Sequence, residues 1–451
     1  VTVALPCHVR AAIQEGERRV AQSDNRSGTV TSAYAIVTCL FFAWGFITSL
    51  VDPLVAAVKG IFQLSDVEAQ LSASAFFIAY GVMSLPGAVL LARLRAVNTV
   101  LLSLGLMVAG CLIMLLAANI AVYTLVLLGL FVLASGITVL QVAANPLAAA
   151  LGPPERSHFR LTFSQTFNSL GTFIGPYLGA VLFLKGVEVK TGDVLTPEVR
   201  EASLMGIDRA FFWIAGLIIL VGVIIWMGRR VISASATHAG EETARRGVFA
   251  TFADAASSPW ALFGGLAIFL YVGAEVAIGT QMAFFLNSDR VWSIPLEDAA
   301  KYVSLYWGGA MVGRLVGSGL LTRVPAPVLL TIFTGAACAM CLYVFAVGGV
   351  SAGYVALAIG LFNSIMFPVI FTITLERSTA SEEATSGFLC FSIVGGAAIP
   401  PLVGLVSQNS DYVTALIVPA ICYAVLCFFA ISAGRARLPH RAAPEAPIEP
   451  L

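Results

Sequence analysis

Long apolar runs dominate the sequence. Twelve of them recur along its length, at roughly 32–58, 70–91, 97–118, 122–148, 161–184, 209–228, 259–286, 299–320, 326–348, 352–375, 384–407 and 413–434. A helix that crosses the hydrocarbon core of a bilayer needs about 20 mostly apolar residues, and each run is near that length. Apolar residues make up 59% of the 451 and charged residues 11%, against about 45–50% and about 25% in ordinary globular domains. A soluble fold of this size has too little interior for so much apolar surface, whereas lipid accepts it. Helices satisfy their own backbone hydrogen bonds, which water cannot do inside a membrane. The sequence therefore predicts an all-α membrane protein with twelve transmembrane helices.

Charge placement orients these helices. Lys and Arg accumulate on the cytoplasmic side of membrane proteins. Taking the runs as alternating crossings puts 17 of them on one side, including Arg10, Arg95, Arg156, Arg229, Arg323, Arg377 and Arg435. The other side holds 7, from Lys59 to Lys301, and Arg314 falls inside a run. Both termini are thus predicted cytoplasmic, in an inner (plasma) membrane of bacterial type. The expected division is an N-terminal tail over 1–31, a six-helix bundle over 32–228, a cytoplasmic linker over 229–258, a second bundle over 259–434 and a tail over 435–451. Residues 1–31 are polar and lack the apolar stretch of a secretory signal.

The two sets of six carry traces of duplication. Phe41-x-x-x-Gly45 in the first run returns as Phe269-x-x-x-Gly273 in the seventh. Gly129-Leu-Phe131 in the fourth returns as Gly360-Leu-Phe362 in the tenth. Gly171, Pro176 and Gly179 in the fifth keep the spacing of Gly396, Pro401 and Gly404 in the eleventh. Parallel repeats of this kind put a binding site near the bilayer midplane, between the halves.

Several classes are disfavoured. A formal net charge of zero argues against a nucleic-acid partner. No metal-ligand cluster, nucleophile motif or phosphate loop points to an enzyme, a metal or a cofactor. Seven of the eight cysteines lie in apolar runs, and Cys338-x-x-Cys341 reads as two small residues within a membrane helix rather than a redox motif.

Charges inside a membrane are costly, so the few present are candidates for function. Asp52 lies late in the first run, Glu275 near the middle of the seventh and Arg314 towards the cytoplasmic end of the eighth. Each also has a structural reading. Asp52 precedes Pro53 and has Lys59 nearby, Glu275 sits on a small-residue face, and Arg314 is placed to snorkel or to lock the halves together. His158 and the other three histidines fall in tails or loops, which leaves carboxylates to carry any coupled proton. Neutral amides cluster as well. Gln141 and Asn145 share one helix face, Gln165 and Asn168 share another, and Asn363 and Gln281 lie in the second half. Amides both donate and accept, which suits a polyhydroxylated solute. The bland alternative is helix–helix hydrogen bonding. Trp44 and Trp307 offer ring surfaces for stacking or for packing.

The motifs are recognisable. Phe41-Phe-Ala-Trp-Gly-Phe46, Gln141-Val-Ala-Ala-Asn-Pro146 and His158-Phe-Arg-Leu-Thr-Phe-Ser-Gln-Thr-Phe-Asn-Ser-Leu-Gly171 resemble the fucose–proton symporter family of the major facilitator superfamily. Tyr271-Val-Gly-Ala-Glu-Val276, Tyr306-Trp-Gly-Gly-Ala-Met-Val-Gly-Arg314, Asn363-Ser-Ile-Met-Phe-Pro368 and Ile393-Val-Gly-Gly-Ala-Ala-Ile-Pro400 resemble its glucose/galactose branch. The likeness extends over about 35–430.

What it implies is hexose uptake coupled to an inward proton by alternating access, in a monomer embedded in the bilayer. Asp52 and Glu275 would carry the proton; Gln141, Asn145, Gln165, Asn168, Glu275 and Asn363 would hold the sugar. The fucose branch has an acid where Gln141 stands, whereas the glucose/galactose branch has Gln there and an acid where Glu275 stands. Val51-Asp52-Pro53 departs from the family's Asn-Asp at that point. Other readings are sodium-coupled symport, a proton-coupled exporter of another small molecule, and a sugar sensor that does not transport.

Overall fold

The computed structural model describes residues 31–50, 62, 66–183, 197–235 and 247–436, so Asp52, Pro53 and Lys59 lie outside the described residues. Among the described residues all regular structure is helical. Helix α1 is Thr31–Ser49, α2 is Asp66–Ile120, α3 is Tyr123–Ala150, α4 is Ser157–Phe183 and α5 is Pro197–Ser235. A short α6, Val248–Ser257, precedes α7 at Pro259–Asn287, α8 at Leu296–Leu320 and α9 at Ala326–Val347. The tenth run divides into α10, Gly349–Asn363, and α11, Met366–Arg377; the eleventh divides into α12, Glu382–Phe391, and α13, Gly395–Asn409. The chain closes with α14, Tyr412–Ala415, and α15, Ile417–Arg435.

Nine stretches among the described residues are long and apolar enough to cross a membrane. One, Phe77–Ile120, has 44 residues, about 66 Å of helix at 1.5 Å per residue and about twice the hydrocarbon thickness. It is broken at Arg95, whose φ of 63° and ψ of 166° are not helical. The Thr99 hydroxyl covers the break by donating to the carbonyl of Arg95 at 2.8 Å. The chain thus turns back on itself between two expected crossings, where the sequence puts a basic loop. α4 and α8, at 27 and 25 residues, are also long enough to cross but more polar. They are the two helices that carry most of the cavity described below.

The exterior is what lipid requires. On α5, Phe212, Trp213, Trp226 and Met227 are exposed, and on α8 so are Leu305, Leu315 and Val316. A soluble monomer rarely presents apolar surface this extensive. The interior holds small residues where helices approach closely. A side-chain carbon at Gly45 of α1 would strike the backbone of Asn168 on α4; one at Gly273 of α7 would strike Ile399 on α13. These are the two glycines of the repeated Phe-x-x-x-Gly motif. The same helix contact is made in each half for the same reason: only glycine lets the backbones that close.

Candidate functional site

A cavity of about 160 Å³ opens between α4 of the first half and α7 and α8 of the second. A single water occupies about 10–15 Å³ on that measure, so the space takes a compact solute. Its lining is Asn168, Ser169, Thr172 and Phe173 from α4, Glu275 from α7, and Trp307, Ala310 and Arg314 from α8. Helical spacing explains the sets. Asn168 and Thr172 are four apart, as are Ser169 and Phe173; Trp307, Ala310 and Arg314 follow an i, i+3, i+7 pattern on one face.

Arg314 is the pivot of this site, and α10–α11 explains why. Pro368 has no N–H, so in a continuous helix the carbonyl four residues earlier, that of Ser364, would lose its partner. The helix is indeed interrupted between Asn363 and Met366. Arg314 Nε donates to the Ser364 carbonyl at 2.8 Å. Its Nη1 reaches across to α4, to the Ser169 hydroxyl and, at 3.5 Å, to the Gln165 carbonyl. One guanidinium therefore satisfies a proline-orphaned carbonyl in the second half and ties that half to the first. The locking role read from the sequence for Arg314 is realised, though on backbone and hydroxyl groups rather than a carboxylate.

Glu275 faces the cavity near Arg314 and feels its charge. Among the described residues its carboxylate accepts no hydrogen bond and makes no ion pair within 4 Å. The buried Tyr271 hydroxyl, one turn earlier, lies beside both Glu275 and Arg314 but makes no hydrogen bond of good geometry. Behind Glu275, the Tyr306 hydroxyl donates to its backbone carbonyl at 3.1 Å, and Asn363 Nδ2 donates to that hydroxyl at 2.7 Å. Asn363 is fully buried, a layer away from the cavity, and supports Tyr306 rather than lining the space.

The amides of the first half divide similarly. Asn168 lines the cavity and donates through Nδ2 to the Phe41 carbonyl at 3.3 Å. Gln165 Nε2 donates to Asn145 Oδ1 at 3.4 Å, and Gln141 Nε2 to the Tyr80 hydroxyl at 2.6 Å. Gln141, Asn145 and Gln165 are buried, and Asn145 Nδ2 has no partner among the described residues. Of the six residues expected to hold a solute, Asn168 and Glu275 share the cavity. Gln165 touches Arg314 through its backbone, and Gln141, Asn145 and Asn363 lie behind. Trp307 lines the cavity, packed edge-on to Tyr306 at 5.1 Å. Trp44 is buried against Phe41, and Gln281 faces a separate crevice between α7 and α13. Sequence reasoning passed over Ser169, Thr172 and Phe173, whose signal is their one-turn spacing beside Asn168. It also passed over Tyr80, whose hydroxyl accepts from Gln141.

At the end of the bundle that carries Arg156, Arg377 and Arg435, the halves are closed on one another. Pro146 repeats the proline effect on α3: it orphans the Val142 carbonyl, which accepts at 2.8 Å from the Ser386 hydroxyl of α12. Ser157 Oγ of α4 donates to Glu376 Oε1 of α11 at 3.1 Å. His158, expected in a loop, stands in the first turn of α4 and meets Glu376 and Thr372 of α11. A short linker helix, α6, joins this end through Asp254, which accepts from the Ser381 hydroxyl at 2.7 Å.

A helical membrane bundle with a polar cavity at its centre, walled by both halves and sealed at one end, is the architecture of a membrane carrier. Residues 33–388 match the profile of the Major Facilitator Superfamily, and the chain belongs to that superfamily. It is 36% identical over 403 residues to the "Glucose/galactose transporter" of Brucella abortus, covering 88% of this chain and 93% of that one. It is 31% identical over 430 residues to the "L-fucose-proton symporter" of Escherichia coli, covering 92% and 95%. Among solved structures it is similar to FucP in the outward conformation, with a TM-score of 0.79, 28% identity, and 90% of this chain and all of the other covered. These relatives are transporters, not enzymes, in line with the expectation from sequence.

Proposed function

We propose that the chain imports a hexose, of the glucose/galactose or fucose type, together with an inward proton. The observation that carries this reading is the shared cavity: a carboxylate from the second half and an amide and two hydroxyls from the first face one space. A solute bound there touches both halves, so its binding energy depends on how they are arranged, which is what alternating access requires. The names of the relatives supply the substrate class.

In this reading Asn168, Ser169 and Thr172 hydrogen-bond the sugar hydroxyls, Trp307 offers a ring face, and Glu275 accepts from the sugar and carries or senses the proton. Gln141, Asn145, Gln165 and Asn363 hold that wall in place from behind. Asp52, outside the described residues, is the second proton carrier, by family resemblance. Protonation removes a charge from a low-dielectric site and so favours rearrangement of the loaded carrier. In the same reading the arginine-rich end faces the cytoplasm of an inner membrane, with both termini on that side, and the contacts between Ser157, His158 and Glu376 and between Ser386 and Val142 at that end support an outward-facing arrangement. The halves are 32–228 and 259–434, joined by 229–258, and the unit of transport is a monomer.

Uptake of a labelled hexose panel into vesicles tests this, in sodium-free buffer with and without an acid-outside gradient. Accumulation that follows the pH gradient supports the reading. Accumulation that requires sodium replaces the ion, and an absence of sugar flux overturns the reading.

A further inference from the structure

We propose that His158 and Glu376 form a proton-sensitive latch, which holds the arginine-rich ends of the two halves together when the imidazole is doubly protonated. The inference rests on the function proposed above only in taking that end to face the cytoplasm.

Both ring nitrogens of His158 are engaged on α11. Nε2 lies 3.2 Å from Glu376 Oε1. Nδ1 lies within hydrogen-bonding distance of Thr372 Oγ1, a hydroxyl that can turn either to the imidazole or to the Pro368 carbonyl and so suits either state of the ring. The contact that changes with protonation is the one to Glu376: a neutral imidazole offers the carboxylate one N–H at most, whereas the imidazolium makes it an ion pair between the halves. Glu376 is prepared as the counter-ion: Ser157 Oγ donates to its Oε1 at 3.1 Å, and Arg377 Nη1 lies 3.4 Å from its Oε2.

Arg377 shares Glu376 with the histidine from within α11, and its Nη2 also donates to the Ala433 carbonyl of α15 at 2.9 Å, so that charge stays in the second half and does not itself join the halves. On His158's own segment are Glu155, Arg156 and Arg160, and Arg160 is held by the carbonyls of Pro153 and Ala149. The two side chains are 15% and 33% exposed, so water reaches them and the proton exchanges with the adjoining solution. The two partners come from different halves, 218 positions apart in sequence. When this end opens, the contact must break.

The second imidazole proton is what makes the pair ionic, so the latch is tightest in acid and loosens when that proton leaves. A carrier that brings protons in would thereby slow its own inward opening as the interior acidifies.

The test needs no sugar and no proton flux, so its outcome is separable from that of the uptake experiment. Spin labels are placed at Glu155→Cys and Thr379→Cys in a background without reactive cysteines. The distance distribution across the closed end is recorded by electron–electron double resonance at about pH 5.5 and about pH 8. The closed-to-open ratio should fall roughly five-fold on going to the higher pH, the scale of a partly exposed ion pair. His158→Gln and Glu376→Gln should each abolish that response, and His158→Arg should keep the end closed at both pH values. A wild-type distribution that ignores pH, or a full response retained in His158→Gln, overturns the latch.

Discussion

Replacing Arg314 by Met should destabilise the protein, and the loss should depend on whether residue 368 is proline. The side chain makes three contacts: with the Ser364 carbonyl, the Gln165 carbonyl and the Ser169 hydroxyl. Leaving a buried acceptor without its partner costs about 1–3 kcal/mol. The Ser364 carbonyl is exposed to that penalty because Pro368 supplies no N–H. In Pro368→Ala the backbone N–H returns, and the helix can close its own bond across the break between α10 and α11. Arg314→Met should then cost less, by about 1–2 kcal/mol, because the carbonyl is no longer orphaned. The Ser169 and Gln165 contacts are lost in both backgrounds and cancel in the double-mutant cycle, as do the effects of the proline itself. The four proteins are compared by thermal midpoint in detergent. For units of 150–250 residues, the size of each half, 1 kcal/mol corresponds to about 2–4 °C, so the coupling is measurable. Strictly additive effects would refute the claim that Arg314 compensates for Pro368.

Other expectations follow from the same geometry. Glu275→Gln keeps the shape of the cavity wall but removes the charge beside Arg314; sugar affinity or coupling should fall, and wild-type kinetics in vesicles would make Glu275 structural. Asn168→Ala removes a cavity amide and should raise the apparent KM by about ten-fold, the scale of one hydrogen bond, with little change if Asn168 only packs α4 on α1. Asp411, outside the spans, caps α14 through the N–H groups of Val413 and Thr414 and pairs with Arg290 at 2.7 Å. Partial burial raises its pKa, but the bonds to Thr414, Arg290 and Val413 outweigh it and hold the carboxyl below the usual range. A depressed carboxyl stabilises the fold above its unfolded pKa of about 3.9 and loses that contribution as pH falls through the folded value. The thermal gap between wild type and Asp411→Asn should therefore be steady at neutral pH and shrink below about pH 4.

The membrane fold was legible because hydropathy and basic loops are local signals. The repeat was legible at Gly45 and Gly273, where a backbone approach admits no other residue. The site was legible only in part. An amide on an apolar helix announces that it needs a partner, but not whether the partner is a solute or another side chain. Asn168 met the cavity, whereas Asn363 met Tyr306. The orphaned carbonyls before Pro146 and Pro368 were written in the sequence, since a proline within a helix leaves the carbonyl four residues earlier without its N–H. Which groups come to those carbonyls, Ser386 and Arg314, depends on helices 50 residues or a whole half away, and no local pattern carries that. The same holds for His158 and Glu376, each unremarkable until α4 and α11 are brought together.

Coupling of sugar to protons is the centre of the account, and one measurement tests it most directly. Purified protein is reconstituted into sodium-free vesicles, and labelled glucose, galactose and fucose are offered with an acid exterior. Wild type should concentrate at least one of them above its external level and lose that ability on addition of a protonophore. Asp52→Asn should equilibrate or exchange the sugar without concentrating it. Sugar accumulation that ignores the pH gradient, or that persists unchanged in Asp52→Asn, would contradict the account.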